Sequence, residues 1–287
     1  MSDKTIRREA FAKINLGLDV VRRLPNGYHE VRMIMQTVGI CDVLTFTKVE
    51  EGIHLQVDNL ELPTDGNNLI CKAAKLLMEG AGVKGGVRIT LEKHIPIAAG
   101  MAGGSTDAAA ALLGINELYG IGYDVDKLKE LGVKIGADVP YCIQGGTALA
   151  EGIGEILSTL PTPPACYLVI AKPDINVSTK FVYENLRANE LESHPDIDGM
   201  IEALKTGDLK GIADRLANVL ETVTVPAYPI IDNIKQTMLA AGAEGALMSG
   251  SGPTVFGIFT DMAKAKQAAQ NITDAELAKQ VFVTEFC

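Results

Sequence analysis

The segment from Pro96 to Thr106, PIAAGMAGGST, is rich in glycine and runs directly into an alanine-rich stretch. Gly100, Gly103 and Gly104 lack the β-carbons that keep an anion away from the backbone, and they permit angles that turn several N–H groups inward. The following stretch, DAAAALLGINEL, consists largely of good helix formers, so its free amides and the positive end of its dipole should face whatever the loop encloses. The sequence therefore predicts a loop that holds phosphate, and a nucleoside triphosphate fits it.

The loop differs from two common nucleotide-binding motifs. It has neither the Lys-Ser/Thr ending of a Walker A sequence nor the G-x-G-x-x-G spacing of a Rossmann turn. An alternative interpretation is a tight strand-to-helix turn whose glycines serve packing only. Since the loop by itself leaves both interpretations open, the residues around it must decide between them.

Composition limits the class of protein. The chain has 287 residues, 47% of them apolar, which is enough for one large domain or two of ordinary size. Its formal charge of −10 opposes nucleic-acid binding, and we expect no nucleic-acid partner. The charged N-terminal segment has no apolar core typical of a leader, and no run approaches the roughly 18 apolar residues of a membrane span, so we expect a cytoplasmic protein without membrane association.

The cysteines and histidines form no recognisable metal or disulfide pattern. Five cysteines are scattered without C-x-x-C spacing, and four histidines show neither H-x₃-H nor H-E-x-x-H. These spacings predict free thiols, mostly buried, and no dedicated transition-metal centre.

The first half of the chain begins with strands and becomes helical. Apolar and β-branched runs predict strands near VRMIMQTVGI, VLTFTKV, IHLQV and VRITLEK, and helical periodicity with a glycine stop predicts a helix in NNLICKAAKLLMEGAG. A further helix is predicted in DVDKLKELGVKIG, with Asp124 as its N-cap. Three prolines in TLPTPPA interrupt regular structure, and we place the domain boundary there, giving domains 1–160 and 161–287.

The second half again mixes helices and strands, in a pattern that resembles an open α/β sandwich. A buried strand is predicted in YLVIAKP, and helices in DIDGMIEALKTGD, LKGIADRLANVLETV and AYPIIDNIKQTMLAAGA. Two apolar runs joined by a Gly/Ser/Pro turn predict a hairpin in ALMSGSGPTVFGIF, and a helix in MAKAKQAAQNI and a strand in QVFVTEF follow.

Two charged residues have a pattern suited to phosphate transfer. Lys13 and Asn15 occupy alternate positions of a predicted strand, so both side chains should point to one face. Asp138, in GADVP, lies just after a predicted helix and before a proline. A carboxylate that accepts a hydroxyl proton and a lysine that offsets developing charge both favour this transfer. The alternatives are a solvated lysine on an edge strand and an aspartate that only forms a turn.

Two further segments are candidates for ligand contact. In NGYHE, Asn26 begins a turn and Tyr28 and His29 follow, a pair that could hold a planar base. The alternative is a surface-packed ring beside a hydrogen-bonded polar residue. The small-residue turn SGSGPT, at 249–254, permits close approach of a ligand to the backbone.

Taken together, AKINL, PIAAGMAGGSTDAAAAL and SGSGPTVFGIF, in that order, resemble the three motifs of the GHMP small-molecule kinases. Within that superfamily, NGYHEV, GADVP and EGIGEIL resemble the members that act on a cytidine diphosphate-linked methylerythritol. The resemblance spans nearly the whole chain. It implies an α+β, two-domain GHMP kinase fold, with an N-terminal domain like ribosomal protein S5 domain 2, a ferredoxin-like C-terminal domain and a site in the cleft between them.

The resemblance also implies a reaction. The γ-phosphate of ATP passes to the 2-hydroxyl of the cytidyl substrate, in the non-mevalonate route to isoprenoid precursors, without a covalent phospho-enzyme. Magnesium is expected from the chemistry, and its ligands are not assigned. The partner is a small molecule, and the chain is a monomer or homodimer.

Each site residue follows from its position in the matching motifs. Asp138 corresponds to the catalytic base and Lys13 to its partner. The other matching positions form two groups. The ATP-binding positions are Pro96, Ala98, Ala99, Gly100, Met101, Ala102, Gly103, Gly104, Ser105 and Thr106, and the substrate-binding positions are Asn15, Tyr28, His29 and Tyr183. Ser105 or Thr106 can reach a magnesium-bound phosphate. Met101 replaces a frequent leucine and Thr106 a frequent serine, and both changes keep shape and chemistry.

Three alternatives compete with this interpretation. The chain could be a GHMP kinase for another small alcohol, although the cytidine-side residues Tyr28, His29 and Tyr183 argue against that. It could be a sensor with this fold that binds a nucleotide or metabolite without turnover, although a sensor has no need of the base Asp138. It could also be a structural α/β domain whose glycines only form turns.

Overall fold

The computed structural model describes residues 4–25, 27–59 and 62–287. Asn26, expected to begin a turn, lies outside the described residues. The strands are β1 (Thr5–Arg23), β2 (His29–Val49), β3 (Ile53–Val57), β4 (Gly86–Glu92), β5 (Thr147–Glu151), β6 (Ile156–Thr159), β7 (Tyr167–Lys172), β8 (Ala217–Asn218), β9 (Gly245–Met248), β10 (Val255–Phe259) and β11 (Gln280–Glu285). The helices are α1 (Leu69–Gly80), α2 (Gly103–Tyr119), α3 (Val125–Val133), α4 (Val139–Gln144), α5 (Thr179–Asn185), α6 (Ile197–Thr206), α7 (Leu209–Ala213), α8 (Glu221–Ala227), α9 (Ile230–Ala240) and α10 (Met262–Asp274).

The strands form two sheets. The larger has the order β3-β4-β2-β1-β8, and β5 pairs with β2 and β6. The smaller has the order β11-β7-β10-β9 and is antiparallel throughout. Strands and helices alternate along the chain, which agrees with the mixed pattern of the sequence.

One compact unit contains the described residues up to Ala12 together with those of 40–95 and 102–145. Here the second half of β2 pairs with β4, which pairs in parallel with β3. Helix α2 packs closely in the core, and its small residues allow this. A methyl group at Gly114 would place its carbon 2.5 Å from the ring of the buried Phe46, so only glycine fits there.

The other compact unit contains residues 13–39, 96–101 and 146–287. The smaller sheet lies in this unit, and its strand β10 is buried along its whole length. Helices α9 and α10 pack on this sheet. Residues of the first half of β2 pair with β5, and Gly17 of β1 pairs in parallel with Ala217 of β8.

The two units are not continuous in sequence, because β1 and β2 each contribute residues to both. Residues 160–166, which include the three prolines, form neither helix nor strand. The predicted boundary at 160 and the domains 1–160 and 161–287 stay a prediction.

Several elements confirm the sequence analysis. Helix α1 lies within the predicted segment, and α3 has Asp124 as its N-cap, whose side chain accepts a hydrogen bond from the backbone N–H of Lys127 at 2.8 Å. Strands β9 and β10 form the predicted hairpin. The two runs VRMIMQTVGI and VLTFTKV belong to one long strand, β2. The sequence analysis did not predict α4, α5 or the β5–β6 hairpin.

One prediction was wrong. The segment LKGIADRLANVLETV is not a continuous helix, since α7 ends at Ala213 and α8 begins at Glu221. Between them, the amide of Asn218 donates to the carbonyl oxygens of Met248 and Gly250, both at 2.8 Å, and its Oδ1 accepts from the N–H of Leu220 at 3.0 Å. These three bonds fix an extended conformation that helical periodicity does not reveal.

Across the described residues, no helix is both long enough and apolar enough to cross a membrane.

Candidate active site

The N-terminus of α2 is open to a ligand. Ala102 precedes it in a left-handed conformation, with φ of 58°, and no side chain among the described residues caps the helix. Its first turn holds no acidic residue. The first N–H groups of an α-helix have no partner within the helix, and the helix dipole favours negative charge there. This helix start is suited to an anion such as phosphate.

The first-turn hydroxyls differ in their surroundings. Thr106 is buried, and its hydroxyl donates to the carbonyl oxygen of Phe11 at 2.8 Å. Ser105 is half-buried, and Gly104 is exposed. Ser105 is therefore the more accessible of the two hydroxyls that the sequence analysis placed near phosphate.

The loop residue Gly100 lies where three segments meet. Its carbonyl oxygen accepts from Lys13 Nζ and from Ser249 Oγ, each at 3.1 Å. Its φ is 70°, and a methyl group there would overlap the carbonyl oxygen of Ser249. Both observations require glycine, and they connect the first, second and third sequence motifs at one point.

Lys13 and Asn15 share one face of β1, as the alternation predicts. Lys13 Nζ donates to Asn15 Oδ1 at 2.8 Å, and the two residues are 5% and 0% exposed. The backbone N–H of Lys13 donates to the carbonyl oxygen of Met101 at 3.2 Å. A buried lysine held by oxygens in this way is an oriented cation, because its hydrogen bonds fix the ammonium group.

Asp138 precedes α4 and is half-buried. Its carbonyl oxygen accepts from the N–H of Cys142 at 3.0 Å, whereas its side chain makes no capping bond to the helix. An aspartate at such a position usually caps its helix through the carboxylate. The carboxylate of Asp138 therefore does not cap α4. Asp138 lies in the first unit and Lys13 in the second.

Two of the predicted base-binding residues, His29 and Tyr183, lie side by side. The rings of His29 and Tyr183 have centroids 5.0 Å apart and an interplanar angle of 39°. Tyr28 is 58% exposed, so most of its side chain is accessible from outside the protein. Burial, aided by the charge of Arg23, lowers the pKa of His29 below its ordinary value, so its imidazole is neutral at pH 7.

Helix α5, which carries Tyr183, is connected to the SGSGPT turn. Thr179 Oγ1 and Ser251 Oγ lie 2.9 Å apart, within hydrogen-bond distance. Thr179 and Tyr183 are four residues apart on the helix and so share a face. The hydroxyl pair thereby orients the helix that presents the aromatic ring.

The sequence analysis missed a buried cluster beside the start of α2. Lys93 Nζ lies 2.6 Å from Asp42 Oδ2 and 2.6 Å from Asp107 Oδ2. Asp107 belongs to the run STDAAAAL, and the sequence analysis assigned it no role. The signal in the sequence that could have drawn attention to it is a charged residue next to a run of four alanines, a composition typical of a buried helix face.

No three His, Cys, Asp or Glu side chains come together as a metal site in the part of the chain that the structure describes.

The sequence matches two descriptions of protein families. Residues 68–146 match the GHMP kinases N terminal domain, and residues 200–278 match the GHMP kinases C terminal. The first range contains the open helix start and Asp138, and it includes Lys93 and Asp107 of the buried cluster. The chain belongs to the GHMP kinase family.

Its curated relatives carry a more specific name. A protein of Lachnospira eligens named 4-diphosphocytidyl-2-C-methyl-D-erythritol kinase is 53% identical over 283 residues, covering 98% of each chain. The protein of the same name from Lachnoclostridium phytofermentans is 50% identical over 98% of this chain and 97% of its own. The name is also carried by a relative from Caldicellulosiruptor bescii, 47% identical over 98% of each chain.

Solved structures agree with this relationship. A crystal structure of 4-(cytidine 5′-diphospho)-2C-methyl-D-erythritol kinase superposes with a TM-score of 0.84 at 35% identity, covering 98% of this chain and 99% of the other. A homoserine kinase from Cytophaga hutchinsonii, at 23% identity and a TM-score of 0.82, covers 99% of this chain and 95% of its own and shares the fold. The predicted α+β, two-domain GHMP kinase fold is confirmed.

Proposed function

We propose that this chain transfers the γ-phosphate of ATP to the 2-hydroxyl of 4-diphosphocytidyl-2-C-methyl-D-erythritol, in the non-mevalonate route to isoprenoid precursors. The observation that carries the proposal is the uncapped start of α2, preceded by Gly100 in a conformation that only glycine adopts easily. The names of relatives at 47% to 53% identity over nearly the whole chain support the choice of substrate.

The loop and the start of α2 hold the phosphates of ATP in this proposal. The positions are Pro96, Ala98, Ala99, Gly100, Met101, Ala102, Gly103, Gly104, Ser105 and Thr106. Backbone N–H groups and the Ser105 hydroxyl donate to phosphate oxygens, since the Thr106 hydroxyl already donates to Phe11. Ala98 and Ala102 both have positive φ, 52° and 58°, and such strain in non-glycine residues is common where a loop clamps a ligand.

Magnesium would arrive with the nucleotide. A protein site of three acidic or imidazole ligands is absent from the described residues, and Mg²⁺ commonly binds through substrate phosphates and water with few protein ligands. When bound, the ion would neutralise charge on the β- and γ-phosphates.

Asp138 accepts a proton during the transfer, and Lys13 stabilises the charge that develops. The Asp138 carboxylate accepts the proton of the 2-hydroxyl as the oxygen attacks the γ-phosphorus and the bond from that phosphorus to the β,γ-bridging oxygen breaks. Lys13, fixed by Asn15 and Gly100, stabilises the negative charge that develops on the attacking oxygen. The phosphoryl group moves directly to the substrate, leaving ADP.

The cytidine end of the substrate binds beside Tyr28, His29 and Tyr183. A neutral imidazole can both donate to and accept from the polar edge of a pyrimidine, and the lowered pKa of His29 keeps it neutral. The exposed ring of Tyr28 offers a face for stacking, and Asn15 contacts the methylerythritol part. The protein works in the cytoplasm as a monomer or homodimer.

The test is ADP release by the purified protein with MgATP and the cytidyl substrate, beside mevalonate, homoserine and galactose. We expect turnover with the cytidyl substrate only. Turnover with another alcohol would make the chain a GHMP kinase of different specificity. ATP binding without turnover of any of them would indicate a sensor or a kinase for an untested alcohol.

The matched variant is Asp138→Asn, which keeps the shape of the side chain but cannot accept the proton. We expect unchanged affinity for MgATP and a fall in kcat of about 100-fold or more, as for the loss of a general base. A variant with nearly normal kcat would remove Asp138 from the reaction.

A further inference from the structure

The cluster of Asp42, Lys93 and Asp107 is almost completely withdrawn from water. The three side chains are 0%, 4% and 4% exposed, and the Lys93 ammonium bridges the two carboxyl groups at 2.6 Å each. Charged groups are costly to desolvate at this depth, and surface ion pairs elsewhere in the chain have no such cost. The catalytic roles proposed above use none of these three side chains.

The cluster joins three segments of the same unit. Asp42 lies in β2, Lys93 follows the end of β4, and Asp107 lies in the first two turns of α2. Asp42 Oδ1 also accepts from the N–H groups of His94 and Ile95, at 2.6 and 2.8 Å. A single carboxyl group therefore fixes the chain after β4, while Lys93 joins that chain to α2.

The ammonium group lies directly beside the first residue of α2. A methyl group at Gly103 would place its carbon 3.1 Å from Lys93 Nζ. A cation beside the positive end of a helix dipole is unfavourable by itself, so the carboxyl groups are needed to hold it there. The position and direction of the first turn of α2 thus depend on the cluster.

The balance of charge indicates a proton within the cluster. Two carboxylates and one ammonium leave one net negative charge in the interior, and Asp107 Oδ1 has no donor among the described residues. A proton on this carboxyl group makes the cluster neutral and supplies a side-chain hydrogen bond to Asp42. Consistent with this, burial raises the pKa of Asp107 to about 8, against the opposing effect of Lys93.

The pKa of Asp107 responds to burial and to two charged neighbours, Lys93 and Asp42. His94, which follows Lys93 in the chain, has its Nδ1 atom 3.0 Å from the carbonyl oxygen of Cys41. The titration of Asp107 is therefore set by these two neighbours and by its burial.

We propose that Asp42, Lys93 and Asp107 form a positioning cluster that fixes the first turn of α2 for phosphate binding, with one proton shared between the two carboxyl groups. The inference rests on the proposed function, since it concerns the helix start that would hold ATP. Asp107 is a positioning residue, because it acts through α2 and not by contact with the nucleotide.

The first test is calorimetric binding of MgATP to the full chain at pH 7. Asp107→Ala releases α2 from Lys93, and since a misplacement of about 1 Å can cost about 100-fold, we expect its Kd to rise at least 10-fold. Asp107→Asn mimics the protonated carboxyl group and should bind within about 2-fold of the wild type. Glu130→Ala, which removes an exposed ion pair on α3 of the same unit, is the control and should change nothing.

The kinetic split separates positioning from general instability. For Asp107→Ala we expect a raised KM for MgATP, an unchanged KM for the alcohol substrate, and kcat within about 3-fold of the wild type at saturation. If Asp107→Ala does not fold, Lys93→Gln takes its place, with the same expectation for Kd.

The second test follows the shared proton through urea midpoints of the wild type and Asp107→Asn between pH 5 and pH 9. The Asp107 carboxyl group keeps its proton in the folded wild type, whereas the unfolded chain releases it above about pH 4. The contribution of this proton to the free energy of unfolding is therefore full below about pH 4 and is lost as pH rises through about 8. The urea midpoint of Asp107→Asn minus that of the wild type should therefore increase from pH 5 to pH 9. A pH-independent difference would overturn the shared proton.

The outcomes distinguish the two proposals. If the wild type does not bind MgATP, the proposed function fails. If the wild type binds it and Asp107→Ala binds equally well, the positioning cluster alone is wrong.

Discussion

Helices α2 and α3 lie in the same unit but begin in opposite ways. At the start of α3, Asp124 accepts from the N–H of Lys127 at 2.8 Å, so a side chain of the chain itself occupies the helix start. The start of α2 has no such side chain, and Ala102 before it is left-handed. Helix α10, in the other unit, resembles α3, because Asp261 accepts from the N–H groups of Ala263 and Lys264.

The difference separates a helix start satisfied by the chain itself from one that a bound phosphate would complete in the proposed function. A capped helix start has its donors satisfied and gains stability from the cap. An uncapped start preceded by a strained residue lacks that stability, and such strain is concentrated at functional sites. The contrast predicts that changes at α2 alter binding and changes at α3 or α10 alter stability.

The largest effect is expected from Gly100→Ala, which would break the loop before α2. The new methyl group would overlap the Ser249 carbonyl oxygen, and alanine is strained at a φ of 70°. We expect kcat/KM to fall about 100-fold or more, because displacement of the loop by about 1 Å is enough for that. Steady-state kinetics check this, and an active variant would show that the loop tolerates a β-carbon.

A smaller effect should follow from Gly104→Asp, which makes the start of α2 resemble that of α3. A carboxylate in the first turn interacts favourably with the helix dipole, by about 0.3–1 kcal/mol, but it repels phosphate. We therefore expect Tm to hold or rise while the KM for MgATP increases about 10-fold or more.

Gly104→Ala is the matched control, since its methyl group would meet only Leu69 Cδ1, at an ordinary 3.5 Å. If both variants raise KM equally, the cause is the added bulk and not the charge.

Asp124→Ala tests the capped side of the comparison. Removal of an N-cap lowers the free energy of unfolding by about 1 kcal/mol. The urea midpoint should fall by that energy divided by the m-value, while the KM values stay unchanged. A loss of ATP affinity in this variant would show that the two helix starts are not independent.

The smallest effect is expected in the loss of stability at acidic pH. Hydrogen bonds from backbone N–H groups, the larger effect from Lys264 and the next from Ala263, hold the pKa of Asp261 below its ordinary value. The cap therefore stabilises the protein above the unfolded pKa of about 4 and ceases to do so as pH falls through the lower folded value. Between pH 7 and pH 2.5, Asp261→Ala should lose slightly less stability than the wild type in urea titrations. An equal loss would contradict the capping role.

Local signals in the sequence predicted much of the fold and part of the site. The Asp124 cap, the β9–β10 hairpin and the glycine loop each depend on residues close together in the chain, and all are found. The same is true of Lys13 and Asn15, because strand alternation alone places them together.

Contacts between distant segments were not predictable in this way. Lys93 is 51 residues from Asp42 and 14 from Asp107, so no periodicity relates the three. Asn218 likewise interrupts a helical pattern through bonds to residues 30 and 32 positions away. In both places the tertiary environment overrides the local preference of the chain.

The most direct test of the account is amide hydrogen exchange at Gly103, Gly104 and Ser105, followed by NMR on protein labelled with ¹⁵N-glycine and ¹⁵N-serine. We expect MgATP to slow exchange at these three amides by about 10-fold or more, because bound phosphate oxygens accept their hydrogens. Lys127, whose amide already donates to Asp124, should show no change when its exchange is followed in uniformly labelled protein. Unaltered exchange at the start of α2 with ATP bound would contradict the account, because the phosphates would then lie elsewhere.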